Sequence, residues 1–274
     1  MTDNSDIIAT MTALRAKGAA FAVATVVRTI SLTAAKAGAK ATILADGTIS
    51  AGWIGGGCAR AAVVKAAKAA IADGKPRLIS VAPLDLLTDL GVVPGEARDG
   101  VEFAKNSCPS QGTMDVFVEP VVPKPELLIC GASPVALALA DLGRRLGFHI
   151  AASAAAEDLH SFSGLADVTV ASYNLEALGA AERYIIVATQ GRGDEAALTA
   201  AVAAPSRFVA FVGSRKKSEA LRAALGRQGI DGARLAAIRS PAGLDIAAVT
   251  PEEIALSILG EIIAIRRRGQ RGPA

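Results

Sequence analysis

Residues 127–136 read Leu-Leu-Ile-Cys-Gly-Ala-Ser-Pro-Val-Ala, an apolar run that passes through a glycine into the start of a helix. Four apolar residues before a glycine are typical of a buried strand, and Ser133 followed by Pro134 is typical of a helix N-terminus. Similar apolar runs recur at 168–171, 184–189 and 208–212, each followed by a helical pattern. This alternation predicts a Rossmann-like, doubly wound parallel sheet.

The half of the chain before this stretch has a different, mixed α+β pattern. A helical face that ends at Gly18 precedes β-rich runs at 21–27, 40–45, 48–51, 77–82 and 114–119. Asp46-Gly47 lies between two of these runs and predicts a hairpin with a type I′ turn. Two prolines within 122–126 predict a stiff linker. We therefore expect an α/β protein with an N-terminal mixed domain at 1–121, a linker at 122–126 and a Rossmann-like domain at 127–274.

Composition excludes several classes of protein. The 274 residues are 51% hydrophobic and carry a net charge of +3, which argues against a disordered chain and against a mainly electrostatic nucleic-acid binder. No apolar run is long enough for a stable membrane span. The polar N-terminus is unlike a signal peptide, and the 3 cysteines do not make a disulfide framework. A cytoplasmic location is expected.

The turn that contains Gly131 and Ser133 is the first candidate binding site. In the dinucleotide fingerprint the second glycine lets the backbone approach a pyrophosphate, and here Ser133 takes its place. The acidic residue expected after the next strand is also missing, since no carboxylate follows until Glu157. Nucleotide binding and a purely structural turn both stay open, whereas ordinary NAD-dependent hydride transfer is disfavoured.

A second candidate follows the last predicted strand, where Gly213 and Ser214 precede Arg215, Lys216 and Lys217. Backbone N–H groups at the start of a helix bind anions, and the neighbouring cations would strengthen that binding. Because cations at this end oppose the helix dipole, an anion site is favoured over a capped, solvated helix start.

Two glycine-bearing segments of the first half contain cysteine. Gly55, Gly56 and Gly57 precede Cys58 at a predicted helix start, where a thiol becomes more acidic. The alternative is a tight turn with a buried, inert cysteine. The other segment, Cys108-Pro-Ser110-Gln111-Gly112, lacks the ligand spacing of a zinc site. Cys130 is expected in the core, and His149 and His160 are expected to be structural.

Taken together, these segments resemble the XdhC/CoxF (XdhC/CoxI) family, the accessory proteins of xanthine dehydrogenase and carbon monoxide dehydrogenase-type molybdenum hydroxylases. The resemblance spans nearly the whole chain and depends on the order of its motifs: Gly55-Gly-Gly-Cys58, Cys108-Pro-Ser-Gln-Gly-Thr-Met-Asp-Val-Phe-Val-Glu-Pro120, Leu128-Ile-Cys-Gly-Ala132, Thr189-Gln-Gly-Arg-Gly-Asp194, Phe211-Val-Gly-Ser-Arg-Lys216, Pro241-Ala-Gly-Leu-Asp-Ile246 and Thr250-Pro-Glu-Glu-Ile-Ala-Leu-Ser-Ile-Leu259.

The resemblance implies a non-enzymatic chaperone that binds the molybdenum cofactor, supports its sulfuration and delivers it to the large subunit of the apo-hydroxylase. The cofactor is a phosphorylated pterin, in some cases extended to a dinucleotide. A cysteine desulfurase is a further expected partner, and a homodimer is expected. Cys58 and Cys108 could contact molybdenum or its sulfur transiently. The candidate cofactor-binding residues are Gly55, Gly56, Gly57, Cys58, Cys108, Ser110, Gln111, Gly112, Gly131, Ser133, Gly213, Ser214, Arg215 and Lys216.

Two other functions remain open from the sequence. One is a Rossmann oxidoreductase that uses NAD(P), which would bind that cofactor saturably. The other is an interaction scaffold that binds a hydroxylase subunit but has no affinity for the pterin.

Overall fold

A computed structural model describes residues 4–30, 33, 35–108, 111–175, 178 and 182–268, except the side chains of residues 4, 5 and 58. The chain divides into two compact units, Met1–Pro123 and Lys124–Ala274, and each is considered by itself. None of the helices in the described part of the chain is long and apolar enough to cross a membrane.

The first unit is a mixed sheet covered on one face by a long helix. Its strands lie in the order β3-β2-β1-β7-β4-β6-β5, and neighbours are antiparallel except for β4 and β6. Alanines of α2, among them Ala66, Ala67 and Ala70, pack closely against this face. The elements are α1 (Asn4–Ala16), β1 (Phe21–Ile30), β2 (Lys40–Leu44), β3 (Ile49–Gly52), α2 (Gly57–Asp73), β4 (Arg77–Ala82), α3 (Leu84–Asp89), β5 (Ala97–Arg98), β6 (Val101–Lys105) and β7 (Thr113–Val121).

The β2–β3 hairpin forms where the sequence predicts it, but its turn is not type I′. A type I′ turn requires a positive φ at both central residues, whereas here Gly47 takes the positive φ of 95° and Asp46 does not. The Asp46 carboxylate instead accepts a hydrogen bond from the Thr48 amide at 2.8 Å. This side-chain contact stabilises a longer loop and explains why the predicted turn type is wrong.

The second unit is a parallel sheet in the order β10-β9-β8-β11-β12, which confirms the Rossmann-like fold. The strand order reverses between β8 and β11, and ligands bind at such switch points in doubly wound sheets. The elements are β8 (Glu126–Cys130), α4 (Pro134–Arg145), β9 (His149–Ala154), a 3₁₀ helix (Ala156–Phe162), β10 (Val168–Ala171), β11 (Arg183–Val187), α5 (Asp194–Ala203), β12 (Phe208–Phe211), α6 (Arg215–Arg227), α7 (Gly232–Ala237) and α8 (Pro251–Arg267).

Both faces of this sheet are buried, as the continuous apolar character of β8 predicts. Leu127 and Ile129 face α4 and α8, whereas Leu128 and Cys130 face the opposite side, where α5 packs. β8 begins at Glu126, the last residue of the expected linker, because its backbone pairs with Arg183 of β11; its buried carboxylate forms an ion pair with the same residue. The predicted capping box of α8 forms between Thr250 and Glu253.

Candidate functional site

An open crevice of about 760 Å³ lies at the carboxyl ends of the parallel strands of the second unit. It occupies the switch point between β8 and β11, where the helices that follow these strands diverge to opposite faces of the sheet. Its volume is within the range of about 300–1,000 Å³ that small-molecule sites occupy. The lining consists of Gly131, Ala132, Ser133, Ala154, Ala155, Glu157, Asp158, Ser172, Tyr173, Thr189, Gln190, Arg192, Gly193 and Ala196.

The turn after β8 forms the floor of the crevice. Gly131 has a φ of 106°, and a Cβ atom placed there would lie only 2.6 Å from the carbonyl oxygen of Ala188. The loops after β8 and β11 therefore touch through the backbone of Gly131. Ser133 caps α4, since its Oγ accepts a hydrogen bond from the Ala136 amide at 3.3 Å. Both predicted residues of this turn line the crevice, and the Ser133 hydroxyl is engaged by its own helix.

The opposite wall is the segment 189–194 between β11 and α5, which Asp194 holds together. Its carboxylate accepts hydrogen bonds from the Thr189 hydroxyl and from the Gly191 amide, the latter at 3.1 Å. The ammonium group of Lys217, on α6, lies 2.5 Å from the other carboxylate oxygen. Burial raises the pKa of Asp194, but the hydrogen bonds from Lys217 and Thr189 outweigh it and leave the pKa below its usual value. An ionised Asp194 thus fixes the shape of this wall.

Replacing Asp194 by asparagine is expected to destabilise the second unit by about 1.5 kcal/mol near neutral pH, because the charged hydrogen bonds to Lys217 and Thr189 weaken. The effect should shrink in acid. A carboxyl group whose pKa is lower in the folded state stabilises the protein above its unfolded pKa of about 3.9, and this stabilisation is lost as the pH falls through the folded value. Urea denaturation of both proteins from about pH 7 to pH 3 measures it. A difference in unfolding free energy between the wild type and Asp194→Asn that stays constant from about pH 7 to pH 3 would contradict this role. So would an equal loss of stability in Asp245→Asn, at an exposed position.

Carboxylates reach the crevice from the 3₁₀ helix that follows β9. Glu157 and Asp158 both line it, although the sequence places them too far beyond the predicted strand to expect an acidic group here. Asp158 Oδ2 lies 3.1 Å from Nη2 of Arg192, which belongs to the opposite wall. Neither residue of this pair was predicted from the sequence as a site residue. The signal that could have located Arg192 is the polar segment Thr189-Gln-Gly-Arg-Gly-Asp194 directly after a buried strand.

The backbone of the crevice wall adopts uncommon conformations. Ser172, Tyr173 and Gln190 all line the crevice and all have a positive φ, between 53° and 58°. Residues other than glycine rarely adopt this conformation, and such residues concentrate at binding sites. The Tyr173 ring packs against Gly193, where an added Cβ would lie 3.2 Å from the phenolic oxygen.

The predicted anion site at 213–217 is only partly available to a ligand. Ser214 caps α6 by accepting a hydrogen bond from the Lys217 amide at 3.3 Å, as expected for a helix start. The Lys217 ammonium is engaged by Asp194 and lies 5.6 Å from the centre of the Phe211 ring. Gly213 is needed because a Cβ there would lie 2.4 Å from that ring. Arg215 and Lys216 remain exposed.

The glycine segment of the first unit lies between β3 and α2. Gly55 and Gly57 have positive φ values of 106° and 48°, and Gly56 is the N-cap residue of α2, without a side-chain cap. A Cβ at Gly55 would lie 3.9 Å from the methyl group of Met114, near the start of β7. Cys58 lies in the first turn of α2, and its side chain lies outside the described residues. The predicted turn into a helix is therefore confirmed.

The second cysteine segment is a compact loop between β6 and β7. Asn106 organises it: its amide group donates to the Gly112 carbonyl at 2.6 Å and its oxygen accepts from the Cys108 amide at 2.9 Å. Gln111 has a positive φ of 47°. Cys108 is exposed, and Ser110 lies outside the described residues.

The remaining cysteine and the histidines do not build a further site. Cys130 is fully buried, as predicted, and burial raises the pKa of its thiol to about 12. His149 lies 3.8 Å from Glu126 at the amino edge of the sheet, away from the crevice, and His160 contacts the Glu157 carbonyl. Within the described ranges, no group of three or more His, Cys, Asp or Glu side chains could hold a metal ion.

Comparisons with known proteins match both units. The XdhC Rossmann domain matches residues 127–262, and the XdhC and CoxI family matches residues 14–82. The uncharacterized protein YqeB of Escherichia coli K12 is 29% identical over 245 residues, which are 85% of this chain and 41% of that protein. The chain thus spans less than half the length of this curated relative. A crystal structure described as a xanthine dehydrogenase from Bacillus halodurans is 18% identical, with a TM-score of 0.46 and coverage of 97% of both chains.

Proposed function

Because the chain belongs to the XdhC and CoxI family, we propose that it is an accessory protein in the maturation of a xanthine dehydrogenase-type molybdenum hydroxylase. Its task in this proposal is to bind the molybdenum cofactor as cargo, to support its sulfuration and to release it to the apo-enzyme. In this proposal, a carbon monoxide dehydrogenase-type molybdenum hydroxylase is the second class of enzyme that the protein could serve.

The crevice of the second unit is the observation that carries this proposal. The N-termini of α4 and α5 both border it, and helix N-termini present backbone N–H groups to anions. At α4 the Ser133 hydroxyl accepts from the Ala136 amide, whereas Gly193, the N-cap residue of α5, has no side chain to cap its helix. The Arg192 guanidinium, which is ion-paired with Asp158, adds a cation on the same wall. These groups suit the phosphate of a pterin cofactor.

Molybdenum and its terminal sulfur favour soft ligands such as thiolates. No cysteine is among the described residues that line the crevice, and the Cys130 thiol is buried. Cys58 and Cys108, on glycine-bearing segments of the first unit, remain the proposed transient contacts to molybdenum or its terminal sulfur. Weak ligation by a thiolate would let the cargo leave again. The apo-hydroxylase large subunit, a cysteine desulfurase and a second copy of this chain are the proposed partners.

Purification of the full chain without oxygen, from a molybdate-fed host that synthesises the cofactor, is expected to yield bound pterin and molybdenum in roughly equal amounts. Fluorescence of the oxidised pterin and elemental analysis measure the two. Both should fall at least about tenfold in an Arg192→Gln variant, because the charged hydrogen bond to phosphate is lost. Arg227→Gln, on the exposed end of α6, is the matched control and should retain the wild-type content.

The same purification tests whether the thiols of Cys58 and Cys108 contact molybdenum or its sulfur. The double variant Cys58→Ser and Cys108→Ser should retain pterin but lose molybdenum or its sulfur. Unchanged metal and sulfur in this variant would refute the role of the cysteines. A wild-type protein without pterin, which also fails to bind added cofactor, would refute the carrier function and leave the scaffold and the NAD(P) enzyme as the alternatives.

A further inference from the structure

We propose that the chain forms a two-fold symmetric dimer through an exposed apolar surface on α8 and on the segment that precedes this helix. The surface, the α8 surface, consists of Leu244, Ile246, Val249, Leu256 and Ile263. A second copy of this chain is one of the partners in the proposed function, on which this inference rests, and the α8 surface is where that copy would bind.

The two faces of α8 are both largely apolar. One face, which includes Ile258 and Ile262, is buried in the core of the second unit. The opposite face carries Leu256, which is 56% exposed, and the half-buried Ile263. A surface helix of a soluble monomer normally has polar residues on its outer face. The apolar centre of the outer face of α8 is therefore typical of a helix that packs against a partner.

The segment before α8 extends this apolar surface. The Leu244 amide donates a hydrogen bond to a carbonyl in the middle of α8 at 3.2 Å, and the Val249 amide donates to the Glu253 carboxylate at 2.7 Å. Because both ends of the segment are bonded to α8, Ile246 lies beside the same helix. A Cβ at Gly260 would lie 3.2 Å from the Leu244 side chain, which therefore covers the outer face at this glycine.

The charges at the two ends of the outer face have opposite signs. Glu252 lies in the first turn of α8 and Arg267 in the last, and both are exposed. The midpoint of this pair along the helix lies between residues 259 and 260, and so does the midpoint of Leu256 and Ile263. A second α8 that packs antiparallel about a two-fold axis at this midpoint would place Glu252 of each copy against Arg267 of the other. The same register brings Leu256 against Ile263.

This coincidence identifies a second copy as the occupant of the surface. The apolar pair and the charged pair come into register together only with a partner that has the same sequence in the opposite direction. Opposite charges at the rim fix the register of such an interface and favour its formation.

The α8 surface is large enough to form the apolar centre of an interface. A standard interface takes about 800 Å² from each partner, and a little over half of that area is apolar. Val249 is 82% exposed, and Leu244 and Ile246 are about half exposed. Exposed apolar patches of this kind with a polar rim mark interaction surfaces in soluble proteins.

Sedimentation equilibrium of the full chain, from about 0.1 to 100 μM, tests the surface. The wild type should form a dimer, and Leu256→Lys should weaken it at least about a hundredfold, because the symmetry places an ammonium group in the apolar centre twice. Lysine preserves the helix, since it can pair with Glu252 one turn earlier. Ile8→Lys, on the exposed side of α1, is the matched control and should dimerise like the wild type.

Charge reversal tests the antiparallel register. Glu252→Arg and Arg267→Glu should each weaken self-association at least about tenfold, because like charges then meet at both ends of the interface. An equimolar mixture of the two variants should form a heterodimer nearly as tight as the wild-type dimer, since each end again joins opposite charges. A misfolded variant could not give this recovery.

A wild type that stays monomeric at 100 μM, a dimer unaffected by Leu256→Lys, or a mixture no tighter than the single variants would overturn the inference. So would a Leu256→Lys variant that keeps the dimer but loses binding to the large subunit of an apo-hydroxylase, because the surface would then belong to that partner. Pterin content separates the two proposals. Loss of the dimer in Leu256→Lys with pterin retained supports both, whereas a wild-type dimer without pterin supports the surface and removes the carrier function.

Discussion

Replacing Gly131 by alanine is expected to destabilise the second unit by about 3 kcal/mol and to abolish ligand binding in the crevice. The added methyl group would lie 2.6 Å from both the Ala188 oxygen and the Thr189 Cα, which belong to the backbone of the adjacent loop. Backbone cannot rotate away as a side chain can, so the β8 and β11 loops must separate. The φ of 106° adds strain that any residue with a Cβ would experience.

The variant Gly164→Ala separates the steric clash from the strain of a positive φ. Gly164 also has a positive φ, 73°, but a Cβ there would meet nothing within 4 Å. This variant should therefore lose only about 1 kcal/mol, the cost of the backbone conformation alone. Denaturant unfolding followed by hydrogen exchange in β8 and β11 measures both variants, and the fluorescence of Trp53 follows the first unit independently. If Gly131→Ala and Gly164→Ala destabilise the second unit equally, the close approach of the two loops at Gly131 is unimportant.

Replacing Arg183 by methionine is expected to destabilise the second unit by about 3–5 kcal/mol, because it leaves a buried carboxylate without its partner. Arg183 Nε lies 2.5 Å from Glu126 Oε1, and both side chains are less than 5% exposed. A second nitrogen of Arg183 donates to the Leu178 carbonyl at 2.6 Å. The pair joins the first residues of β8 and β11, so its loss should loosen the amino edge of the sheet.

An exposed ion pair nearby provides the comparison. Arg207 Nη1 lies 3.2 Å from Glu182 Oε1, and its side chain is 64% exposed. Arg207→Met should cost no more than about 1 kcal/mol. The double variant Glu126→Leu and Arg183→Met should recover much of the loss, since it removes both buried charges. If Arg183→Met and Arg207→Met lower the free energy of unfolding by comparable amounts, burial of the ion pair is unimportant. A double variant that is less stable than Arg183→Met would lead to the same conclusion.

Much of the second unit could be predicted because its signals are local. The apolar run at 127–130, the serine caps of α4 and α6 and the capping box of α8 depend on neighbouring residues, and all occur where expected. The first unit was less predictable. Its segment 83–112 contains α3, β5 and β6, which are short and rich in turns, so their periodicity carries little information.

Local sequence patterns predict the fold class, the family resemblance and the positions of the glycine-bearing turns, because periodicity, capping and φ preferences act over a few residues. Which charges meet depends on the tertiary structure. Glu157 and Asp158 follow β9 and Arg192 follows β11, and they share one crevice because parallel strands end at the same edge of the sheet. The Lys217 side chain likewise binds Asp194 instead of remaining free for an anion. Contacts between residues far apart in the chain depend on strand order and helix packing, which no local pattern encodes.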